Sequence, residues 1–191
     1  MAQQSFWSSK DLEPKRQFRF IVSLQVGPDK EELRFACKTA DRPSYTIGET
    51  EHRFFNHTFY YPGRMTWNTI GMTLVDAITP GSTELLYKYL EEAGIQNPIE
   101  SGQRSITTTI TKAAAVGALG DVKIREIGTL GGGTPETSAI VGEWVLINPF
   151  LTEVNFGAHS YDSDEMVEIS LTFRYDWATY EASGTGGPSL K

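Results

Sequence analysis

The sequence predicts a mainly β domain covered by one helix, on the strength of three observations. Apolar and polar residues alternate with a period of two in most readable segments. Gly, Pro, Asn and Asp separate these segments at short intervals, as they do between strands. Twenty Thr residues and a 12% share of Phe, Trp and Tyr favour strands over helices. A chain of 191 residues can bury one substantial core, so one domain is a better expectation than two very small ones.

Two strands have the clearest alternation. The first lies near the start of the chain and places four apolar residues on one face, Phe18, Phe20, Val22 and Leu24. The second lies near the end and has five, Val167, Ile169, Leu171, Phe173 and Tyr175. Weaker alternation predicts further strands at 33–39, 53–61, 65–75, 105–111, 121–127, 138–147 and 151–156. The breaks between them include Tyr61-Pro62-Gly63-Arg64, Asn148-Pro149 and Gly131-Gly132-Gly133, the last interpreted as a flexible hairpin tip.

One segment, at about 82–93, is typical of a helix. Ser82 can cap it, and Glu84 lies in the first turn, where the helix dipole favours an acid. Its apolar stripe ends at Gly94 and consists of Leu85, Leu86, Tyr89 and Leu90. A second short helix at 112–119 is an open alternative, which Gly117 disfavours.

We expect residues 15–181 to form a single domain and the ends, 1–14 and 182–191, to be flexible. The ends are polar or rich in Gly and contain little that could be buried. No apolar stretch is long enough to span a bilayer or to form the core of a signal peptide. The lone Cys37 agrees with a reducing compartment and is interpreted as a small buried residue. A soluble protein without a membrane partner is the expectation.

The charge balance argues against a dedicated nucleic-acid-binding protein. The chain has 17 Lys and Arg against 24 Asp and Glu, a formal net charge of −7, whereas phosphate binding needs clustered basic residues. Basic and acidic residues nearly balance in residues 1–95, so the acidic excess lies in 96–191. Some surface of that second half should repel polyanions.

No group of residues has the spacing that catalysis, a metal ion or a cofactor requires. His52 and His57 lie on one predicted strand with side chains on opposite faces, so they could not share a metal ion. His159 and the acidic run at 162–165 form a polar loop that lacks a nucleophile context and the spacing of a calcium loop. We therefore expect a protein that is not an enzyme and that needs no cofactor or metal.

One continuous block, residues 42–76, has a distinctive combination of motifs. It contains E-T-E-H, N-H-T-F-Y-Y-P-G-R and W-N, followed by T-L-V-D. This block strongly resembles the tail tube proteins of contractile phages, the T4-like tube family. Further stretches similar to that family follow in order: P-K-R-Q-F-R-F at 14–20, G-E-W-V-L-I-N-P-F at 142–150, and V-N-F-G with Y-D-S-D-E-M-V-E-I-S-L-T-F-R-Y-D-W within 154–177. Segment 95–136 has no firm match.

The resemblance implies an antiparallel β-sandwich or partly closed barrel with the flanking helix. It further implies a structural virion protein whose sixfold rings stack into a hollow tube inside a contractile sheath. Such a tube holds the tape-measure protein during assembly and later conducts double-stranded DNA without sequence-specific binding. The implied partners are other copies of the chain, the sheath protein, the tape-measure protein and the baseplate hub or tube initiator. The implied location is the phage tail, assembled in the host bacterial cytoplasm.

The resemblance also assigns residues. Its motif residues include Tyr61, Pro62, Gly63, Arg64, Trp67, Trp144, Tyr175 and Trp177. The segment from Tyr45 to Tyr61 is expected to be a hairpin-like excursion that contacts the neighbouring ring, with contact residues Tyr45, Glu49, Glu51, Phe54, Phe55, Asn56 and His57. A run with Phe54, Phe55 and Phe59 has more apolar surface than a free loop should expose. A polar inner wall and an ordinary solvent face are both open for Thr107, Thr109 and Thr111.

Three further functions stay open at the level of sequence. The chain could be a baseplate-proximal tube initiator, or the tube subunit of a related injection or secretion machine that passes effectors instead of a genome. A β-sandwich module that binds a ligand through its aromatic cluster is the candidate from a different functional class. Long hollow filaments or stacked rings would separate a tube subunit from such a module.

Overall fold

The computed structural model describes residues 14–26, 31–32, 37–78, 81–95, 109–128, 140–162 and 164–182. Its helices are α1 (Ser82–Glu92) and α2 (Lys112–Leu119). Its strands are β1 (Phe20–Val26), β2 (Glu31–Glu32), β3 (Cys37–Ala40), β4 (Tyr45–Phe54), β5 (His57–Trp67), β6 (Ile70–Val75), β7 (Val122–Ile127), β8 (Ile140–Ile147), β9 (Phe150–Asn155), β10 (Glu168–Arg174) and β11 (Trp177–Ala182).

The strands form two larger sheets and a separate hairpin. The first sheet has the order β11-β8-β7-β1-β2, and the second has the order β3-β6-β10-β9. Strands β4 and β5 pair with each other as a two-stranded sheet. All of the described pairs are antiparallel. The predicted fold class, mainly β with antiparallel sheets, is therefore confirmed.

One hydrophobic cluster joins the two larger sheets. The first sheet contributes Val22, Leu24, Val122, Ile124 and Leu146, and the second contributes Ile70, Met72, Leu74, Ile169, Leu171 and Phe173. Each of these side chains is at most 3% exposed. Because sheets that pack face to face bury alternate residues of every strand, the period-two pattern in the sequence corresponds directly to this core.

Two helices complete the core. Helix α1 contributes Leu85, Leu86 and Tyr89, and α2 contributes Ala115, Ala118 and Leu119. The Tyr89 hydroxyl accepts a 3.3 Å hydrogen bond from the Leu151 N–H, which ties α1 to β9. The short helix at 112–119, which the sequence left open, therefore forms and is part of the core.

The start of α1 corrects the prediction that Ser82 caps this helix. Ser82 is its first helical residue and is buried, and Gly81 occupies the N-cap position without a side-chain hydrogen bond. Asp76 caps the helix instead, since its carboxylate accepts bonds from the Thr83 N–H at 3.3 Å and the Thr83 hydroxyl at 2.6 Å. The predicted end is confirmed, because the helix stops before Gly94, whose φ is 102°.

Most predicted strands outside the hairpin are confirmed with shifted ends. Strands β1, β7, β8, β9 and β10 lie where the alternation predicts them, and the described part of 33–39 begins β3. The sequence does not predict β11, because an edge strand without a fully buried residue leaves no clear alternation. The predicted tip at 131–133 and the predicted flexible ends, apart from Pro14 and Ala182, lie outside the described residues.

The predicted strand at 105–111 is wrong in its described part. Thr109 and Thr111 lie outside any strand, and Thr111 is the N-cap of α2. Its hydroxyl accepts a 3.2 Å hydrogen bond from the Ala114 N–H. A polar wall made of alternating Thr109 and Thr111 is therefore excluded, and Thr107 lies outside the described residues.

Candidate functional site

The β4–β5 hairpin holds nearly all of its side chains in solvent. Every residue from Tyr45 to Thr66 is exposed. Its large apolar side chains are between 50% and 89% exposed, namely Tyr45, Ile47, Phe54, Phe55, Phe59, Tyr60, Tyr61 and Met65. A contiguous apolar surface of this kind marks an interaction site. We therefore treat this hairpin as the candidate functional site.

The pairing of β4 with β5 corrects two predicted strands. The sequence predicts one strand over 53–61, but Phe55 and Asn56 form a turn in the middle of it. It predicts another over 65–75, but the chain leaves β5 after Trp67 and begins β6 at Ile70. The first error arises because aromatic residues continue across the turn, so the alternation there does not show the reversal.

The motif Tyr61-Pro62-Gly63-Arg64 lies inside β5 and not at a break between strands. The register changes here so that Gly63 and Arg64 together oppose Gly48, which is a β-bulge. Pro62, which has no N–H for the ladder, lies beside the bulge. A Cβ on Gly63 would lie 3.1 Å from the Gly48 carbonyl oxygen, so the close approach of the two strands favours glycine. The motif thus bends the hairpin instead of ending a strand.

The pairing also sorts the side chains onto two faces. One face carries Tyr45, Ile47, Glu49, Glu51 and Arg53 from β4 and Thr58, Tyr60, Pro62, Met65 and Trp67 from β5. The other carries Thr46, Thr50, His52, Phe54, His57, Phe59, Tyr61 and Thr66. The first face is apolar near the sandwich and charged further out, where Arg53 contacts Glu51 at 3.0 Å. The second face is aromatic at its outer end.

The predicted contact residues are therefore divided between both faces and the turn. Tyr45, Glu49 and Glu51 lie on the first face, Phe54 and His57 on the second, and the turn has the remaining two. His52 and His57 share the second face, since they are diagonal neighbours in adjacent pairs. The prediction that they point to opposite faces is wrong, because it assumed a single strand without the turn.

The tip of the hairpin is an exposed pair of phenylalanines. Phe55 is 89% exposed and has a φ of 53°, a left-handed conformation that is rare for a bulky side chain. The Phe54 and Phe55 rings pack edge to face with centroids 4.6 Å apart. The tip is therefore a preformed apolar projection.

The base of the hairpin is fixed by rings and hydrogen bonds. The ring centroid of Trp67 lies 5.5 Å from that of Tyr45 and 5.9 Å from that of Tyr175, which follows β10. The Asn68 N–H donates to the Ser44 carbonyl at 2.9 Å, and the Asn68 amide donates to the Ser44 hydroxyl at 3.1 Å. The motif residues Trp67 and Tyr175 thus connect the hairpin to the sandwich.

A buried carboxylate, which the motifs do not reveal, joins the segment before β1 to the segment that leads into the hairpin. Glu126 in β7 is 6% exposed and forms ion pairs with Lys15, before β1, and with Arg42, before β4, the latter at 2.7 Å. The Glu126 bond, and then a bond to Tyr180, raises the pKa of Lys15. A signal exists in the sequence, since Glu126 is in phase with the buried residues Val122 and Ile124.

The remaining motif residues lie around β8, β10 and β11. Trp144 packs against Tyr180 of the adjacent strand with ring centroids 4.8 Å apart, and Trp177 is 48% exposed at the start of β11. Asp176 accepts 2.7 Å hydrogen bonds from Lys112 and a 2.8 Å bond from the Asn148 amide. The Lys112 bond, followed by the Asn148 bond, lowers the pKa of Asp176. These contacts connect α2 to the turn between β10 and β11.

The polar clusters show ordinary surface chemistry. Ser160 accepts a 3.2 Å bond from the Asp162 N–H within the exposed loop that also holds His159. Burial raises the pKa of Cys37 to about 11, which keeps it a thiol at neutral pH. Within the described ranges, no three His, Cys, Asp or Glu side chains are grouped so that they could hold a metal ion. Those ranges also contain no helix with the length and apolar character needed to cross a membrane.

Comparisons with solved structures agree with this geometry at the level of fold. A chain in the cryo-EM structure of the anti-feeding prophage baseplate, 6-fold symmetrised, has a TM-score of 0.61 and 14% identity, with 89% of this chain and 97% of that chain covered. A chain in the sheath/tube terminator of the extracellular contractile injection system PVC, in the extended state, has a TM-score of 0.61 and 16% identity, with 89% and 98% covered.

A third similar chain belongs to the PVC sheath-tube complex in the extended state, with a TM-score of 0.57, 16% identity and coverage of 94% and 99%. No protein-family model matches the sequence, and no curated protein matches it. These neighbours are chains from the baseplate, sheath/tube terminator and sheath-tube complex of contractile injection systems, so the resemblance to contractile tail tube proteins is confirmed for the fold.

Proposed function

We propose that this protein is a structural subunit of a contractile tail tube, in which copies form rings and the rings stack into a hollow tube. The observation that carries the proposal is a hairpin with exposed apolar residues on both faces and at its tip, attached to a tube-type sandwich. A structural role agrees with neighbours that are tube components and not enzymes. The hairpin is the contact between rings in this proposal.

The exposed hairpin is difficult to explain in an isolated subunit. A two-stranded hairpin has marginal stability in water, and this one places rings such as Phe59 and Tyr61 in solvent. Complete burial of such a side chain contributes about 1.5–3 kcal/mol, and covering the half that is still exposed would contribute roughly half of that, which a second copy can supply. The predicted contact residues Tyr45, Glu49, Glu51, Phe54, Phe55, Asn56 and His57 all lie on this surface.

The edges of the larger sheets supply a second type of contact. Strand β11 is an edge of the first sheet and β9 is an edge of the second. Unpaired edges are templates for pairing with another chain, and such pairing between unlike edges closes into a ring when the rotation permits. We propose this contact within rings of six copies, the number that the sequence resemblance implies.

Several acids of the acidic half form ion pairs in the described part of the chain. Asp121, Glu143 and Asp176 pair with basic residues of the same half, which its net charge already includes. Glu126 and Glu168 pair with basic residues of the first half. Glu153 on β9 and Glu181 on β11 are exposed and have no ion pair within the described part of the chain. We propose that these acids, if they line the channel, allow DNA to pass without binding.

The proposed partners are those of a tail tube: the sheath protein around it, the tape-measure protein inside it, and the baseplate hub or tube initiator at its end. The proposed location is a phage virion. The runner-up is the tube subunit of an injection machine that carries effectors, and the neighbours in extracellular contractile injection systems favour it over a ligand-binding module. An initiator or terminator ring has the same fold and is the third candidate.

Electron microscopy of the purified protein tests the proposal. Wild-type protein should form stacked rings or hollow tubes as its concentration rises, and Phe59→Glu should stay in discrete particles. Tyr161→Glu is the matched control, because Tyr161 is fully exposed outside the hairpin, and it should assemble normally. Hydrogen exchange in residues 45–67 should be fast in the monomer and slow in the tube. A wild-type protein that stays monomeric at high concentration would favour the ligand-binding module and contradict the proposal.

A further inference from the structure

A cavity of about 580 Å³ lies at the base of the hairpin. Its apolar wall comes from the end of β5, the segment leading into α2, and the start of β9, through Met65, Trp67, Ile110, Ala115 and Phe150. Met65 and Ile110 are 51% and 48% exposed at its mouth, whereas Ala115 is 2% exposed. Cavities with apolar walls and a few polar groups are the usual form of a binding site.

The polar residues that line this cavity are Tyr175, two threonines and three charged side chains. Tyr175 is 4% exposed, and its hydroxyl lies near the Ser44 backbone without a hydrogen bond of good geometry. A buried hydroxyl without a partner costs stability. Because this oxygen is itself inaccessible, it is not available to an incoming group. Lys112 and Asp176 neutralise each other at 2.7 Å, and Arg174 adds one positive charge.

We propose that this cavity receives the Phe54–Phe55 tip of the hairpin of a second copy of this chain. The inference rests on the proposed function, because it names the surface that the hairpin contacts in the next ring. The tip is apolar and preformed, because the positive φ of Phe55 belongs to the two-residue turn and its ring packs on that of Phe54. The Phe55 side chain is nevertheless 89% exposed within its own subunit. The cavity and the tip are thus complementary surfaces of one chain.

The length of the hairpin prevents the tip from reaching the cavity of its own subunit. The tip and the base are separated by the ten residues of β4, which span about 30 Å. The contact must therefore join the tip of one copy to the cavity of another, and it propagates in one direction unless two copies exchange their tips in a closed dimer. The wall of the cavity includes the base of the hairpin, so each tip continues onto the hairpin of the next copy.

Size and charge support a second copy over a discrete partner. One phenylalanine pair buries far less than the roughly 800 Å² per partner of a stable dimer. The contact can hold only when it is repeated around a ring, where copies add their contributions. Arg174 at the cavity is suited to the face of an incoming aromatic ring.

Cysteine cross-linking in assembled protein tests this inference. Asn56→Cys places a thiol beside the tip and keeps both phenylalanines, and Ile110→Cys places one at the mouth of the cavity. The double variant, assembled and then oxidised, should give a ladder of dimers, trimers and higher species on a denaturing gel. Met65→Cys in place of Ile110→Cys should give the same ladder, which guards against failure of one variant. The natural Cys37 stays, with wild-type protein as the control for its reactivity.

The controls separate this inference from the proposed function. Each variant with one introduced cysteine, which also retains Cys37, should give no species beyond a dimer. Asn56→Cys combined with Tyr161→Cys should give no ladder. Assembled tubes without a ladder in either double variant would overturn the inference and leave the proposed function intact. Failure of wild-type protein to assemble would instead overturn the proposed function.

Discussion

The sandwich buries the apolar residues of its strands, whereas the hairpin exposes them. In the sandwich, alternating residues such as Ile169, Leu171 and Phe173 are at most 1% exposed. In the hairpin, Phe54, Phe59 and the aromatic residues beside them are at least half exposed. Apolar residues in a strand need cover, which comes from this chain in the sandwich and, in our proposal, from another copy at the hairpin.

The two regions should therefore respond differently to the loss of an aromatic ring. Phe173→Ala removes a fully buried ring from the core and should lower the free energy of unfolding by about 3–5 kcal/mol. Phe59→Ala removes a half-exposed ring and should change it by less than about 0.5 kcal/mol in the monomer. Urea unfolding of monomeric protein measures both.

Assembly should show the reverse order. Phe59→Ala should prevent stacking in electron micrographs although its monomer is stable, because the ring is covered only in the tube. A large loss of monomer stability in Phe59→Ala would show that the hairpin packs on its own subunit and would end the contrast between the regions.

Loss of the ion pairs of Glu126, which hold the segment before the hairpin on the sandwich, should have an intermediate effect on the free energy of unfolding. Glu126→Gln removes the charge that holds Lys15 and Arg42, whose side chains are 45% and 60% exposed and can return to water. We therefore expect the free energy of unfolding to fall by about 1–2 kcal/mol, near the low end of what hydrogen bonds to charged groups contribute. Hydrogen exchange of residues 41–46 should become faster, since Arg42 directly precedes the hairpin.

Glu84→Gln is the matched control for Glu126→Gln. It breaks an exposed ion pair with Lys88 on α1, and surface pairs of this kind contribute almost nothing to stability. Equal unfolding midpoints for the two variants would mean that the buried carboxylate adds nothing to the attachment of the hairpin.

The smallest effect concerns pH at the turn after β10. Because Lys112 and Asn148 lower the folded-state pKa of Asp176, its contribution to stability is present above the unfolded-state pKa, about 3.9, and is lost as the pH falls through the folded-state value. Asp176→Asn should cost less than about 1 kcal/mol near neutral pH, and the difference from wild type should shrink below about pH 4. Thermal unfolding from pH 2 to pH 7 measures this. If the difference between Asp176→Asn and wild type did not change with pH, the effect would come from the changed shape of the side chain and not from its charge.

Several features of the fold follow from local pattern alone. Strands β1, β7 and β10 are predictable because one face of each is buried, and burial imposes the period of two on the sequence. Helix α1 is predictable from its stripe and from Gly94, and its cap is not, because Asp76 lies six residues before the first helical residue. Edge strand β11 escapes prediction because neither of its faces is fully buried.

The candidate site likewise has features that the sequence predicts and features that it does not. The sequence resemblance predicts the hairpin between Tyr45 and Tyr61, which the structure forms and exposes, and the contact residues on it stay a prediction. The turn at Phe55 and Asn56, the bulge at Gly63 and the shared face of the two histidines follow from strand pairing, which alternation does not specify. The ion pairs of Glu126 were predictable only in part. The alternation places this acid among the buried residues of β7, but it does not identify its partners.

The sequence by itself determined the mainly β class, the main core strands, the helix α1 and the unusual apolar surface of the segment after Arg42. These depend on neighbours in the chain, whose spacing fixes which side chains share a face. Only the tertiary structure decided that Lys15, Arg42 and Glu126 meet, and that a cavity forms where β5, α2, β9 and β10 converge. Such sites join residues distant in sequence, and their positions depend on how sheets and helices pack, which no local period encodes.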